Sequence, residues 1–130
     1  NMGIEYLGAN YGEAGVREYL EQYTRAVYRR EIDAIRERGL TAIEEKILDT
    51  YEKEHALDAV RTRLSEGALE VEISYCPAVK HLRQTGREVT RWYPMTTSVV
   101  MEIFAGACGA RFAMEAYDAA TGAARYRFDA

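Results

Sequence analysis

Cysteine, histidine and long apolar runs are all scarce in this sequence. Its 130 residues include two cysteines and two histidines, with no His-x-x-x-His and no Cys-x-x-Cys pair. A zinc site would have to borrow ligands from distant positions, so we expect no metal and no other cofactor. We expect Cys76 and Cys108 to be reduced thiols, because a chain of this size needs no disulfide and a cytoplasmic setting keeps thiols reduced.

No uninterrupted apolar run approaches the roughly 20 residues that a membrane-spanning helix needs. The first residues have neither the basic start nor the apolar core of a signal peptide. We therefore expect a cytoplasmic protein without a membrane partner. Because the chain starts at Asn1 and not at an initiator methionine, we interpret its start as a tag remnant or a trimmed end, which leaves room for missing upstream residues.

A stripe of charge of one sign is also lacking. The net charge is -4, and acidic and basic residues are interleaved along the chain. A phosphate backbone needs a basic surface, so we expect no nucleic-acid partner. With 48% hydrophobic and 29% charged residues, the composition is that of an ordinary globular protein, and the length predicts a single domain over residues 1–130.

The first half of the chain has the hydrophobic spacing of two long helices. A capping-box pattern at Asn10 predicts the start of the first helix, which runs to about Arg38 and stops at Gly39. A second pattern at Thr41 predicts the start of the second helix, which ends near Gly67.

The second half mixes strands and helices. Alternation over residues 69–75 predicts a strand with one wet face, and Pro77 then predicts the first turn of a short helix. A further helix follows Pro94, and alternation over residues 112–116 and 124–128 predicts a terminal hairpin. The prediction is an α+β fold of order ααβααββ, in which helices cover one face of an antiparallel sheet of three or four strands. So small a sheet is expected to be completed by an undetected strand or by a second subunit.

The dipeptide Cys76-Pro77 is the most chemically suggestive point, at the junction of the predicted strand and helix. A side chain there lies at a helix N-terminus, where unpaired N–H groups and the helix dipole favour a thiolate. We predict Cys76 to be a catalytic nucleophile, with His81 as the candidate histidine that assists it. The alternative is a structural cysteine that closes the turn.

Aromatic residues flank Cys76 on both sides. Tyr75, Trp92 and Tyr93 are candidate substrate-binding residues, since aromatics with polar tips line pockets, and burial in the core is the equal alternative. Three further tyrosines fall on helix stripes and are expected in the core: Tyr19, Tyr23 and Tyr51.

Two other polar residues are candidates for function. Glu102 lies beside the apolar face of its helix, where a half-buried carboxyl would suit acid–base or binding work, and the alternative is that it faces water. His55, between acidic neighbours, gives a weak signal for a metal or a proton-transfer role, and an exposed helix histidine is the simpler interpretation.

Three short segments of this chain resemble one known family. Residues 11–16 (Tyr-Gly-Glu-Ala-Gly-Val), residues 75–78 (Tyr-Cys-Pro-Ala) and the closing Gly122-x-x-x-Tyr-Arg-Phe together resemble the L-2-amino-thiazoline-4-carboxylic acid hydrolase family over nearly the whole chain. Family members often carry further cysteines after the Cys-Pro helix and in the last strand, where this chain has none.

The resemblance implies an intracellular hydrolase that opens the C–N bond of a small cyclic amidine carrying a carboxylate, on the route to cysteine. Water, or Cys76 first, would attack the ring C=N carbon, while Arg83, Arg87 or Arg91 holds the carboxylate. The 4-vinyl-reductase type of small-molecule-binding domain has a related layout, which implies noncatalytic ligand binding or sensing instead. A third interpretation is an interaction domain that forms a homodimer through its helices.

Overall fold

The computed structural model describes residues 2–130 and, for the side chains, residues 3–130. Within this part of the chain it shows an α+β fold, as the sequence predicts. The helices are α1 (Met2–Val27), α2 (Arg29–Arg38), α3 (Leu40–Lys53), α4 (Pro77–Gln84) and α5 (Met95–Ala107). The strands are β1 (Val60–Ser65), β2 (Ala68–Ile73), β3 (Arg111–Tyr117) and β4 (Ala124–Asp129).

The four strands form one antiparallel sheet of order β1-β2-β4-β3. Alternation along β2 turns Leu69, Val71 and Ile73 into the core, and β4 adds Tyr126 and Phe128 to the same face. Helices pack on that face, through residues of α2, α3 and α5 in the same core cluster. The opposite face carries charged residues of both signs, which is the pattern of a sheet that is wet on one side.

The predicted second helix is too long. In the structure α3 ends at Lys53, and Val60–Ser65 is strand β1, the fourth strand of the sheet. Val60 and Leu64 fit a helix stripe, but with Thr62 they also fit the two-residue period of a strand. The helix cannot continue past His55, which adopts φ 54°. Gly67, at φ 79°, lies in the turn of the hairpin between β1 and β2, at the position where the sequence predicts the end of the helix.

The predicted first helix also differs from the observed one. The observed α1 begins at Met2, but it consists of two helical parts joined at Gly12, and the second part starts close to the predicted start at Asn10. The Asn10 side chain donates to the Tyr6 carbonyl at 2.8 Å and so belongs to the first part. Gly12 breaks α1 with φ 70° and ψ -167°, and a further turn at Tyr28 separates α1 from α2.

Two tyrosines predicted in the core are on the surface. Tyr19 and Tyr23 are 45% and 44% exposed, and their rings stack on each other with centroids 6.1 Å apart. The same helix buries Val16 and Leu20 completely or nearly so, so its apolar stripe is narrower than the sequence suggests. Among the described residues, no helix combines the length and apolar character needed to cross a membrane.

Candidate functional site

Cys76 is held at the junction that the sequence predicts. Its backbone is extended, at φ -94° and ψ 123°, and it is the N-cap of α4, with Pro77 in the first turn. The Cys76 N–H donates to the Thr121 carbonyl at 2.9 Å, so the turn of the terminal hairpin is tied to the residue. The side chain is half-buried. Strand, helix and turn thus fix the thiol at a helix N-terminus.

The same turn approaches Cys76 so closely that it requires a glycine. Gly122 adopts φ 74°, and a Cβ added to it would lie 2.4 Å from the Cys76 Cβ and 3.1 Å from a Val79 methyl. Only a residue without a side chain fits this approach, and glycine also tolerates the positive φ. Gly122 therefore helps to set the position of the thiol.

A cleft of about 300 Å³ opens beside Cys76. It lies between α3 and α5, with the start of α4 and strand β4 completing its wall. Apolar side chains from α3 and α5 form much of the lining, and hydroxyl groups from Thr50, Thr96 and Thr97 add polar positions. A mostly apolar cleft with a few convergent polar groups is the usual form of a small-molecule site.

Phenol groups surround the thiol. Tyr51, Tyr93 and Tyr126 line the cleft with Cys76. Burial raises the pKa of Tyr51 and of Tyr93 well above the ordinary value, and the charge of Cys76 raises both further. For Tyr93, side-chain hydrogen bonding to Cys76 adds to the rise in pKa. Burial and then the neighbouring Tyr51 raise the pKa of Tyr126. At neutral pH these phenols therefore stay protonated and act as O–H donors beside the thiol.

The cleft has one charge of each sign, and the two lie apart. Lys46, on α3, and Glu54, the C-cap residue directly after it, are both in the lining. Their eight-residue separation corresponds to about 12 Å along the helix. Glu54 lies at the thiol end, where its charge contributes to the raised pKa of Tyr93. At the other end the Lys46 ammonium lies 4.9 Å from the centre of the Tyr28 ring, so the cleft is polarised along its length.

Of the predicted aromatic ligands, only Tyr93 is in the cleft lining. Trp92 packs instead against Val16, Leu20 and Val99 beneath α1. The Tyr75 hydroxyl lies 3.3 Å from the Asp58 carboxylate, and its ring faces the Lys80 ammonium. Tyr75 precedes Cys76 directly, and alternation along the chain turns the two side chains to opposite sides.

The predicted polar residues lie outside this cleft. His81 is exposed on α4, as is His55 after α3, and neither lines the cleft. Arg83 donates to the Ala119 carbonyl at 3.2 Å. Glu102 pairs with Arg17 at 2.8 Å and borders a separate surface cleft of about 690 Å³. That second cleft is lined largely by charged residues of both signs, several of them paired with each other, and contains no thiol.

Sequence reasoning missed Lys46, Glu54, Tyr51 and Tyr126 as cleft residues. Tyr51 was expected in the core, although Lys46, Thr50 and Glu54 repeat every four residues beside it, a polar row that borders an apolar stripe. Tyr126 lies in the inward register of β4, which predicts burial but not proximity to Cys76. Only the packing of α3 on the sheet brings these elements together.

Both cysteines are free. Within residues 2–130, no group of three or more histidine, cysteine or acidic side chains is arranged to hold a metal ion. No family model matches the sequence, and no curated protein and no solved structure shows significant similarity to it. The cleft itself offers a thiol at a helix N-terminus, protonated phenols, one ammonium and one carboxylate.

Proposed function

We propose that this protein hydrolyses a small cyclic amidine that carries a carboxylate, of the 2-amino-thiazoline-4-carboxylate type, with Cys76 as nucleophile. One observation carries the proposal: the Cys76 thiol, at the N-terminus of α4, opens into a small cleft beside phenols that remain protonated. The N-terminus of a helix suits a nucleophilic sulfur, and O–H donors beside it stabilise negative charge that develops in a reaction. The kind of substrate is taken from the sequence resemblance to the hydrolase family.

Lys46 is the group we propose for the substrate carboxylate. It is the cationic residue in the cleft lining, and none of the arginines predicted for this role, Arg83, Arg87 and Arg91, is in that lining. An ammonium at one end and the thiol at the other would orient a small carboxylate with its ring toward Cys76. Lys46 therefore replaces the arginines in this role.

In the proposed reaction the Cys76 sulfur adds to the amidine carbon, and the C=N electron pair moves onto nitrogen, which takes a proton from water. The phenols of Tyr51 and Tyr93 donate hydrogen bonds to the developing charge. The ring C–N bond then breaks as the exocyclic nitrogen forms a C=N bond to the same carbon and gives up a proton to the ring nitrogen, which leaves as an amine. A second water, giving a proton to Glu54, attacks that carbon and releases Cys76 as thiolate, and Glu54 returns the proton to the hydroxide left by the first water. The net change is the addition of one water.

The direct test is incubation of the protein with 2-amino-thiazoline-4-carboxylate, with mass spectrometry to detect a ring-opened product that has gained one water. Cys76→Ser should abolish turnover, and the matched Cys108→Ser variant should retain it. Lys46→Met should raise KM more than it lowers kcat, because it removes a binding charge remote from the reacting carbon. Full activity in Cys76→Ser would refute the nucleophile.

A noncatalytic ligand-binding or sensory role is the second candidate. It is favoured by the position of the two histidines, since neither lines the cleft and the thiol thus lacks an imidazole base from this chain. In that case small carboxylates should raise the melting temperature without turnover, because a ligand that binds only the folded state stabilises it. For either role we place the protein in the cytoplasm, where both thiols stay reduced.

A further inference from the structure

The start of the chain is a helical arm that folds back on the rest of α1. The arm consists of the residues before Gly12, numbers 2–11. In a straight helix Ile4 and Tyr23 would lie about 28 Å apart, yet both line one surface groove of about 410 Å³. The Leu7 carbonyl is likewise 3.9 Å from the position of a Cβ on Gly15. The arm and the later part of α1 therefore lie side by side.

The arm is docked by specific contacts. Ile4 and Leu7 pack on the buried cluster of Val16, Leu20 and Val99. The Thr90 hydroxyl hydrogen-bonds the Glu5 carboxylate. Gly8 lies against the Trp92 indole so closely that a Cβ would fall 1.8 Å from its nitrogen. The surface that receives the arm is thus shaped for it.

The corner between the arm and the rest of α1 is a single residue. Gly12 has φ 70° and ψ -167°, a region of backbone conformation that is essentially restricted to glycine. A Cβ added there would have no described atom within 4 Å, so the backbone conformation and not the surroundings requires glycine. If Gly12 took helical angles, residues 2–27 would form one helix of about 39 Å, and the arm would leave its own Trp92.

We propose that Gly12 is a hinge through which two copies of this chain exchange their arms and form a dimer. Each arm then makes on the second copy the contacts that it makes on its own chain, which is why such exchange costs little in contact energy. Two straightened α1 helices also bring the two hinges together. Tyr11, next to the hinge and 64% exposed, would be buried between the two hinges of the dimer. The proposal is independent of the chemistry of the cleft.

Two substitutions at the hinge should have opposite effects. Gly12→Ala cannot keep the folded-back conformation without strain and favours the straight helix, so we expect the dimer association constant to rise about tenfold per hinge, or about a hundredfold for two hinges. Glu13→Pro should hold the chain as a monomer, because proline suits the first turn after a corner but breaks a continuous helix. Gly3→Ala is the control: it is in the arm, has no described atom near its added Cβ and should change nothing.

The test is light scattering coupled to gel filtration over a range of protein concentrations, with fluorescence of the single tryptophan, Trp92. An exchanged dimer doubles the mass, keeps the native fluorescence because an arm again covers Trp92, and persists for hours after dilution because both arms must detach.

Three results would overturn the proposal: a folded Gly12→Ala monomer, a dimer that separates at once on dilution, or equal dimerisation of Gly3→Ala. If Gly12→Ala does not fold, the mass of the wild-type protein at millimolar concentration is measured instead. A dimer that Glu13→Pro abolishes supports exchange, and wild type that stays wholly monomeric refutes it.

Discussion

Replacing Gly122 by alanine tests whether the terminal turn positions Cys76. The new Cβ would lie 2.4 Å from the Cys76 Cβ, and the residue would keep φ 74°. Positive φ costs a residue with a Cβ about 1–2 kcal/mol, and forcing an extra methyl into a packed site costs a further 1–3 kcal/mol or so. We therefore expect Gly122→Ala to lower the free energy of unfolding by about 2–5 kcal/mol.

Gly86→Ala is the matched control. Gly86 has almost the same φ, 72°, and within the described chain no atom lies within 4 Å of a Cβ built on it. Gly86→Ala should lower the free energy of unfolding only by the cost of positive φ, about 1–2 kcal/mol. The assay is urea unfolding of both variants, and the difference between them isolates the contact with Cys76. Equal losses in the two variants would refute the close approach, as would unchanged alkylation of Cys76 in folded Gly122→Ala.

Three further predictions concern the core, the phenols and the surface. Phe128 is completely buried, so Phe128→Ala should cost about 3–5 kcal/mol in urea unfolding; a loss below 1 kcal/mol would contradict the packing. Burial raises the pKa of Tyr126 above its ordinary value of 10.0, so the unfolded chain loses this proton first as pH rises. Stability should therefore fall above pH 10, and Tyr126→Phe should flatten that fall in unfolding curves; an unchanged slope would argue against burial. The exposed Arg17–Glu102 pair should contribute at most about 1 kcal/mol, so Glu102→Gln should leave both stability and turnover near wild type, and loss of turnover would place Glu102 in the site.

The parts of the fold that could be predicted are those with one unambiguous period. Strand β2 alternates without exception from Leu69 to Ile73, and Pro77 and Pro94 mark the helix starts that follow. Strand β1 could not be recognised because Val60 and Leu64 satisfy the helical and the strand period at once. The break before it falls on His55, which adopts positive φ, so neither a glycine nor a proline marks the end of α3 in the sequence.

The site was predictable only where it is local in sequence. Cys76-Pro77 marks a strand-to-helix junction in the sequence itself, so the position of the thiol could be predicted. Tyr51 and Tyr126 come from elements that are far from Cys76 in the chain, and their approach to Cys76 depends on how α3 packs on the sheet, as does the place of Lys46 at the other end of the cleft. The fold-back at Gly12 could not be predicted either, because the capping pattern at Asn10 predicts a helix start and gives no sign of the helical arm before it.

If Cys76 is a reactive thiol inside a ligand cleft, it should be labelled differently from Cys108. The two cysteines lie at opposite helix ends, Cys76 at the N-cap of α4 and Cys108 at the C-cap of α5, so only Cys76 lies at the positive end of a helix dipole. The measurement is the rate of iodoacetamide labelling of each cysteine near neutral pH, read by mass spectrometry, with and without 2-amino-thiazoline-4-carboxylate. We predict that Cys76 reacts at least about tenfold faster than Cys108 and is protected by the carboxylate. Equally slow labelling of both thiols, unaffected by the ligand, would show that Cys76 is not a reactive thiol in a ligand cleft.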